Sequence, residues 1–104
     1  MLFMVIERFR NRMDAEAVYQ RFRERGRMLP EGLKYIESWT EEIFDRCFQL
    51  MECDEPHLFE EWISHWEDLV EFEIVPVVSS KEAADSITQM SWGIERFMSP
   101  SHAN

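Results

Sequence analysis

Glu7, Glu37, Gln49 and Glu52 interrupt stretches that are otherwise apolar. A polar group inside an apolar strand needs a partner, and the partner decides what it can do. A carboxyl facing an enclosed space has its pKa raised by burial, which suits it to taking up and returning a proton. Arg8, Tyr35, Trp39 and Cys47 are candidates to line that space with Glu7, Glu37 and Gln49. The plainer arrangement pairs each carboxylate with an arginine across neighbouring strands or across a subunit seam. Trp62 and Trp66 complete the candidate pocket, because aromatic walls commonly line small-molecule sites. Their helical spacing serves core packing equally well.

Other chemistries have less support. Gly26, Gly32 and Gly93 stand too far apart for a phosphate-cradling loop, and no serine sits in a nucleophile-elbow pattern. Glu61 and His65, four apart on a helix, have the spacing to share a metal, but no third ligand is suggested. The expectation is neither metal nor cofactor, with His65 an ordinary helix-border residue. Cys47 or Cys53 as a redox nucleophile would need a lowered pKa and access to solvent, and neither is written in the sequence. On one extended strand the two sulfurs would lie roughly 20 Å apart, beyond disulfide reach. They read as reduced thiols, and the expected location is the cytoplasm.

A formal net charge of −10 argues against nucleic acid, which needs a surplus of Lys and Arg on one surface, and against anionic membranes. The apolar opening Leu2–Ile6 is too short for a signal-peptide core, and no stretch reaches membrane-spanning length. Arginines at 8, 10, 12, 21, 23, 25 and 27 crowd the first quarter, while acids dominate from Glu31 to Glu73. Such a corner can hold an anionic ligand or meet a partner's acids; it can equally be a solvated helix face paired with neighbouring acids.

These residues must be held by regular elements. Residues 2–9 are apolar at both parities, Leu2, Met4 and Ile6 against Phe3, Val5 and Phe9, so this strand needs cover on both faces. Asp14 is a plausible N-cap for a helix carrying Ala15, Val18, Tyr19 and Phe22 on one side, ended by Gly26. Leu33, Tyr35 and Trp39 alternate along a second strand over 33–41; a turn at 41–45 leads to a third strand at 47–51. Asp54 and Pro56 announce a second helix, with Leu58, Phe59, Trp62, Ile63, Trp66 and Leu69 on its dry side. Residues 72–78 make a fourth strand, and Pro76 places it at a sheet edge. Ser79 and Glu82 have capping-box spacing for a last helix through Ala83, Ile87, Met90, Ile94 and Phe97, with a break near Gly93.

The order strand–helix–strand–strand–helix–strand is the ferredoxin-like arrangement, an α+β fold with a four-stranded antiparallel sheet and an extra C-terminal helix. Right-handed crossovers put the first two helices on one face and make the first and third strands central. The chain of 104 residues suits one domain, here 1–98, with 99–104 a disordered tail. Two helices cover only one face. Leaving the other wet costs roughly 25 cal/mol per Å2 of apolar area, so the expectation is a two-fold homodimer with sheets face to face. The alternative is a monomer whose C-terminal helix covers its own sheet.

Three stretches carry a family resemblance: Leu2 to Phe9, Arg25-Gly26-Arg27-Met28-Leu29-Pro30-Glu31-Gly32-Leu33, and Cys47 to Glu52 with Trp62 and Trp66 beyond. Together, over residues 1–78, they resemble a family of short bacterial proteins known only as a domain of unknown function. That family looks like part of the dimeric α/β-barrel group, which implies the same fold and dimer. The helix after Ser79 lies outside the resemblance. The wider group includes cofactor-free oxygenases, haem-degrading enzymes, isomerases and dehalogenase-like proteins, but the resemblance carries no catalytic residue to transfer. Three functions are in view. The first is a homodimer binding a small anionic or aromatic organic ligand between sheet and helices. The second is a cofactor-independent oxygenase or isomerase using a carboxylate and an arginine. The third is a structural or interaction module without a pocket.

Overall fold

The computed structural model describes residues 1–11 and 13–90, with side chains as far as Thr88. Along the chain run β1 (Leu2–Phe9), α1 (Asp14–Arg25), β2 (Lys34–Thr40), β3 (Arg46–Glu52), α2 (Leu58–Ser64), β4 (Val70–Val77) and α3 (Ser80–Met90). The strands form one antiparallel sheet in the order β2-β3-β1-β4. The fold is α+β, with a four-stranded sheet and three helices in ferredoxin-like order. β1 and β3 are central, as their two-sided apolarity requires, and Pro76 sits on the edge strand β4, where a missing backbone donor is tolerated.

Phe3, Val5 and Met51 point from the sheet into a core closed by Leu33, Phe59, Trp62 and Trp66. Phe3 meets Phe59 edge-on at 5.1 Å, and Trp62 meets Phe72 at 5.3 Å. Each such pair contributes about 0.5–1.5 kcal/mol beyond the area it buries. At the end of α1, Gly26 turns the chain with φ 67° and ψ −161°, a backbone that a side chain strongly disfavours. Gly32 lies so close to α2 that a Cβ would stand 3.1 Å from Leu58 Cδ1.

Two helix expectations are corrected. Met13, not Asp14, is the N-cap of α1; the Asp14 carboxylate instead accepts bonds from the Asn11 backbone (3.0 Å) and side-chain amide (3.2 Å), closing the turn before the helix. α2 stops at Ser64, short of the stripe that reaches Leu69. Trp66 and Glu67 both donate to the Ile63 carbonyl at 2.9 Å, and this tightened turn swings Trp66 into the core. The cap of α3 is as the spacing predicts, Ser79 Oγ accepting from Glu82 N at 3.0 Å. The expected continuation through Ile94 and Phe97 with its break near Gly93, the domain end at 98 and the tail 99–104 lie outside the described residues.

α1 differs from α2 in being fastened rather than buried: no residue of it is fully enclosed. At one side the Tyr19 hydroxyl shares a 3.1 Å hydrogen bond with Thr40 Oγ1 on β2. At the other, Arg21 donates twice to Asp68 and once to the His65 carbonyl, all at 2.8 Å, with its guanidinium 5.6 Å from the Trp66 ring centre. Charge-assisted bidentate bonds of this kind hold geometry well. Between the two fastenings a gap remains over the sheet.

Candidate functional site

That gap is a cleft of about 110 Å3. Glu7 of β1 and Cys47 and Gln49 of β3 form its floor, Trp62 and Trp66 its inner wall, and Tyr19 and Phe22 of α1 its rim. β1 and β3 face Glu7 with Cys47 in register, so the strand pairing brings those two together.

The polar groups form one hydrogen-bonded arc. Gln49 Nε2 donates to Glu7 Oε2, and Gln49 Oε1 accepts from Arg27 Nε at 3.4 Å. On the other flank Cys47 bonds Glu7 and Thr40, and Thr40 meets Tyr19. Burial raises the Glu7 carboxyl to about 7, against the opposing effects of Gln49, Cys47 and the Arg27 charge. Burial, with the Glu7 charge beside it, lifts the Cys47 thiol to about 11. Cys47 is therefore a neutral hydrogen-bonding group here, not an activated nucleophile. Cys53 is buried in the core, and both cysteines are free thiols.

Arg27 is positioned by its own backbone. Its carbonyl accepts both indole donors, Trp62 Nε1 at 2.9 Å and Trp66 Nε1 at 3.1 Å, which satisfies two otherwise buried N–H groups with one acceptor. The loop after α1 is thereby tied to α2, and the guanidinium enters the cleft between two rings, 3.5 Å from the Tyr35 centre and 4.9 Å from that of Phe22.

Of the residues singled out from sequence, Glu7, Cys47, Gln49, Trp62 and Trp66 share this cleft, and Tyr35 stacks beneath its arginine. Arg8, Glu37 and Trp39 do not join them. Arg8 neighbours inward-facing Glu7 on the same strand, so pleating sends it to the opposite face. On β2 the register passes from Tyr35↔Met51 to Glu37↔Leu50, leaving Ile36 as an extra residue. This bulge reverses the alternation. Ser38 and Thr40 turn inward, while Glu37 and Trp39 turn outward with Leu50 and Phe48. Glu37 instead accepts from the Ser38 backbone at 3.1 Å, and Glu52 stands on the outer side beside Leu2. None of Glu7, Glu37 or Glu52 forms a salt bridge among the described residues, so the pairing with arginines expected as the plainer arrangement is not found among them.

Sequence reasoning did not place Arg27, Tyr19, Phe22, Ser38 or Thr40 in the candidate pocket. Tyr19 and Phe22 were legible as one helix face, but seven clustered arginines give no local reason to single out position 27. Among the described residues no group of three or more His, Cys, Asp or Glu comes together to hold a metal, and no helix is long and apolar enough to cross a membrane.

A family model described as a domain of unknown function, DUF3303, matches residues 1–91. The chain belongs to the DUF3303 family. The match reaches past β4 through the whole of α3, so the last described helix is part of the DUF3303 domain and not, as the shorter resemblance had it, outside it. No curated protein and no solved structure matches the chain.

Proposed function

We propose that this DUF3303 member is a homodimeric protein that binds a small organic ligand in the cleft between α1 and the sheet. The observation that carries this reading is the contrast inside one layer. Phe3, Val5 and Met51 are packed shut under α2, while Glu7 and Gln49, on the same strands, lie under an aromatic-walled opening. Convergent polar groups at the bottom of an apolar cleft are the ordinary composition of a small-molecule site.

The second copy is assigned to the outer face. Leu2, Met4, Ile6, Phe48, Leu50, Val75 and Val77 adjoin one another there and are only half-buried, and Trp39 is 53% exposed. The same face carries Arg8 and Lys34 as well as Glu37, Glu52, Glu71 and Glu73, so a two-fold partner meets opposite charges around an apolar centre. Sheet-to-sheet packing stabilises such a face without other elements.

The acid–base reading draws on Glu7. A carboxyl titrating near 7 is matched to proton transfer at neutral pH, and Arg27 stands close enough to steady a developing anion. A cofactor-independent oxygenase or isomerase would use these two groups, and Glu7→Gln would then abolish turnover while leaving the assembly intact.

Native mass spectrometry of the protein freshly purified from its own host tests the main reading. The expected spectrum shows twice the subunit mass plus a small retained molecule released on denaturation. A bare monomer at low micromolar concentration removes both the dimer and the occupied cleft.

A further inference from the structure

The cleft contains a cation with unused donors. Arg27 presents five N–H groups, of which, among the described residues, only Nε is engaged, by Gln49 at 3.4 Å. Among the described residues neither Nη atom has a hydrogen-bond partner. The guanidinium is nonetheless held in one plane, with Tyr35 on one side and Phe22 close by, so its outer edge is aimed rather than swinging in solvent. Glu7, the acid on the cleft floor, does not use that edge. Gln49 is interposed between Arg27 and Glu7, donating to one and accepting from the other, and so prevents a direct ion pair.

We propose that the cleft takes a small organic carboxylate with a flat unsaturated body, its carboxylate on the Nη edge of Arg27 and its body among Tyr19, Phe22 and Trp66. This deepens the small-molecule reading above and rests on it. A planar guanidinium edge with two parallel donors matches a carboxylate in geometry as well as charge, and the ring-lined walls match a planar apolar body. A neutral amide of the same shape would meet the same walls but place an N–H₂ against N–H donors.

The floor adds a pH dependence. Glu7 is faced by Cys47 from β3, which stays neutral, by Arg27 from the loop, by Tyr19 through Thr40 from α1, by Trp62 and Trp66 from the α2 region, and by Phe72 from β4. Among the described residues Arg27 is thus the charged group that faces it. Below about 7 Glu7 is neutral, and an anion in the cleft meets only the guanidinium. Above that, Glu7 carries a charge of the same sign as the ligand, and binding weakens.

The test compares benzoate with benzamide, read from the indole N–H resonances of Trp62 and Trp66 in nitrogen-15 spectra at pH 6 and pH 8. Benzoate is ionised at both. The expected result is tighter binding of benzoate than of benzamide at pH 6, a loss of that preference at pH 8, and a fall of about ten- to hundredfold in benzoate affinity in Arg27→Gln. Arg27→Gln keeps the carbonyl that ties the two indoles; if it does not fold, the comparison of the two ligands on the unaltered protein still decides. Equal binding of benzoate and benzamide at pH 6, or an Arg27→Gln variant with unchanged benzoate affinity, overturns the carboxylate assignment and leaves the cleft reading standing. Binding of neither ligand overturns both.

Discussion

On the inner face of the sheet, Phe3, Val5 and Met51 are covered by α2 and its following turn, whereas on the outer face Met4, Ile6 and Leu50, their immediate neighbours along β1 and β3, keep part of their surface in solvent. Both faces are apolar at their centre. The inner one is interrupted by Glu7 and Gln49, which a roof of α1 leaves accessible through a cleft; the outer one carries its charges at the ends and edges. A polar pair under partial cover acquires unusual chemistry because it is desolvated yet reachable. A continuous apolar patch has none and is suited to meeting another surface.

The sharpest way to break this division is Trp62→Ala. Trp62 is 1% exposed, touches Phe59 and Phe72 edge-on and holds the Arg27 loop through its indole donor. Its loss is expected to cost about 3–5 kcal/mol in urea unfolding, enough to unfold much of a small domain. A cost below about 1 kcal/mol would mean that the inner layer is not the main core.

Glu7→Gln probes the exception within that layer. Because the folded carboxyl titrates near 7 instead of near 4.5, the native state binds its proton more tightly than the unfolded chain. The contribution to stability is therefore full below about 4.5, declines as pH rises towards 7, and is absent above it. Relative to the parent, Glu7→Gln should be more stable by about 3 kcal/mol at pH 8 and about equal at pH 4. The same difference at both pH values would show that Glu7 is not desolvated in the way its position implies.

The smallest stability effect belongs to the outer face. Trp39→Ala should change subunit stability by no more than about 0.5 kcal/mol, since the ring is 53% exposed, while sedimentation equilibrium shows weakened self-association. An unfolding cost comparable to that of Trp62→Ala would erase the difference between the faces, and unchanged association would remove Trp39 from the seam.

The order of elements was legible because each rests on a local signal. Apolar runs on both parities marked β1 and β3, Gly26 closed α1, Pro76 demoted β4 to an edge, and Ser79 with Glu82 opened α3. The candidate site was legible in half. Glu7, Cys47 and Gln49 come together because β1 and β3 pair without irregularity. Glu37, a polar interruption of the next strand, and Trp39, an aromatic wall, were candidates for the same space, but the Ile36 bulge on β2 turns both to the outer face. A bulge is set by how two strands settle against one another, and nothing in Tyr35-Ile36-Glu37 announces it.

By itself, then, the sequence determined which segments become strands and helices and that the central strands are apolar on both sides, since periodicity and turn chemistry act over a few residues. Tertiary structure alone decided that Arg27 turns into the cleft, because two tryptophans tens of residues away bind its carbonyl. It also decided that Glu7 titrates near neutrality, because desolvation depends on everything packed around a group and not on its neighbours in the chain.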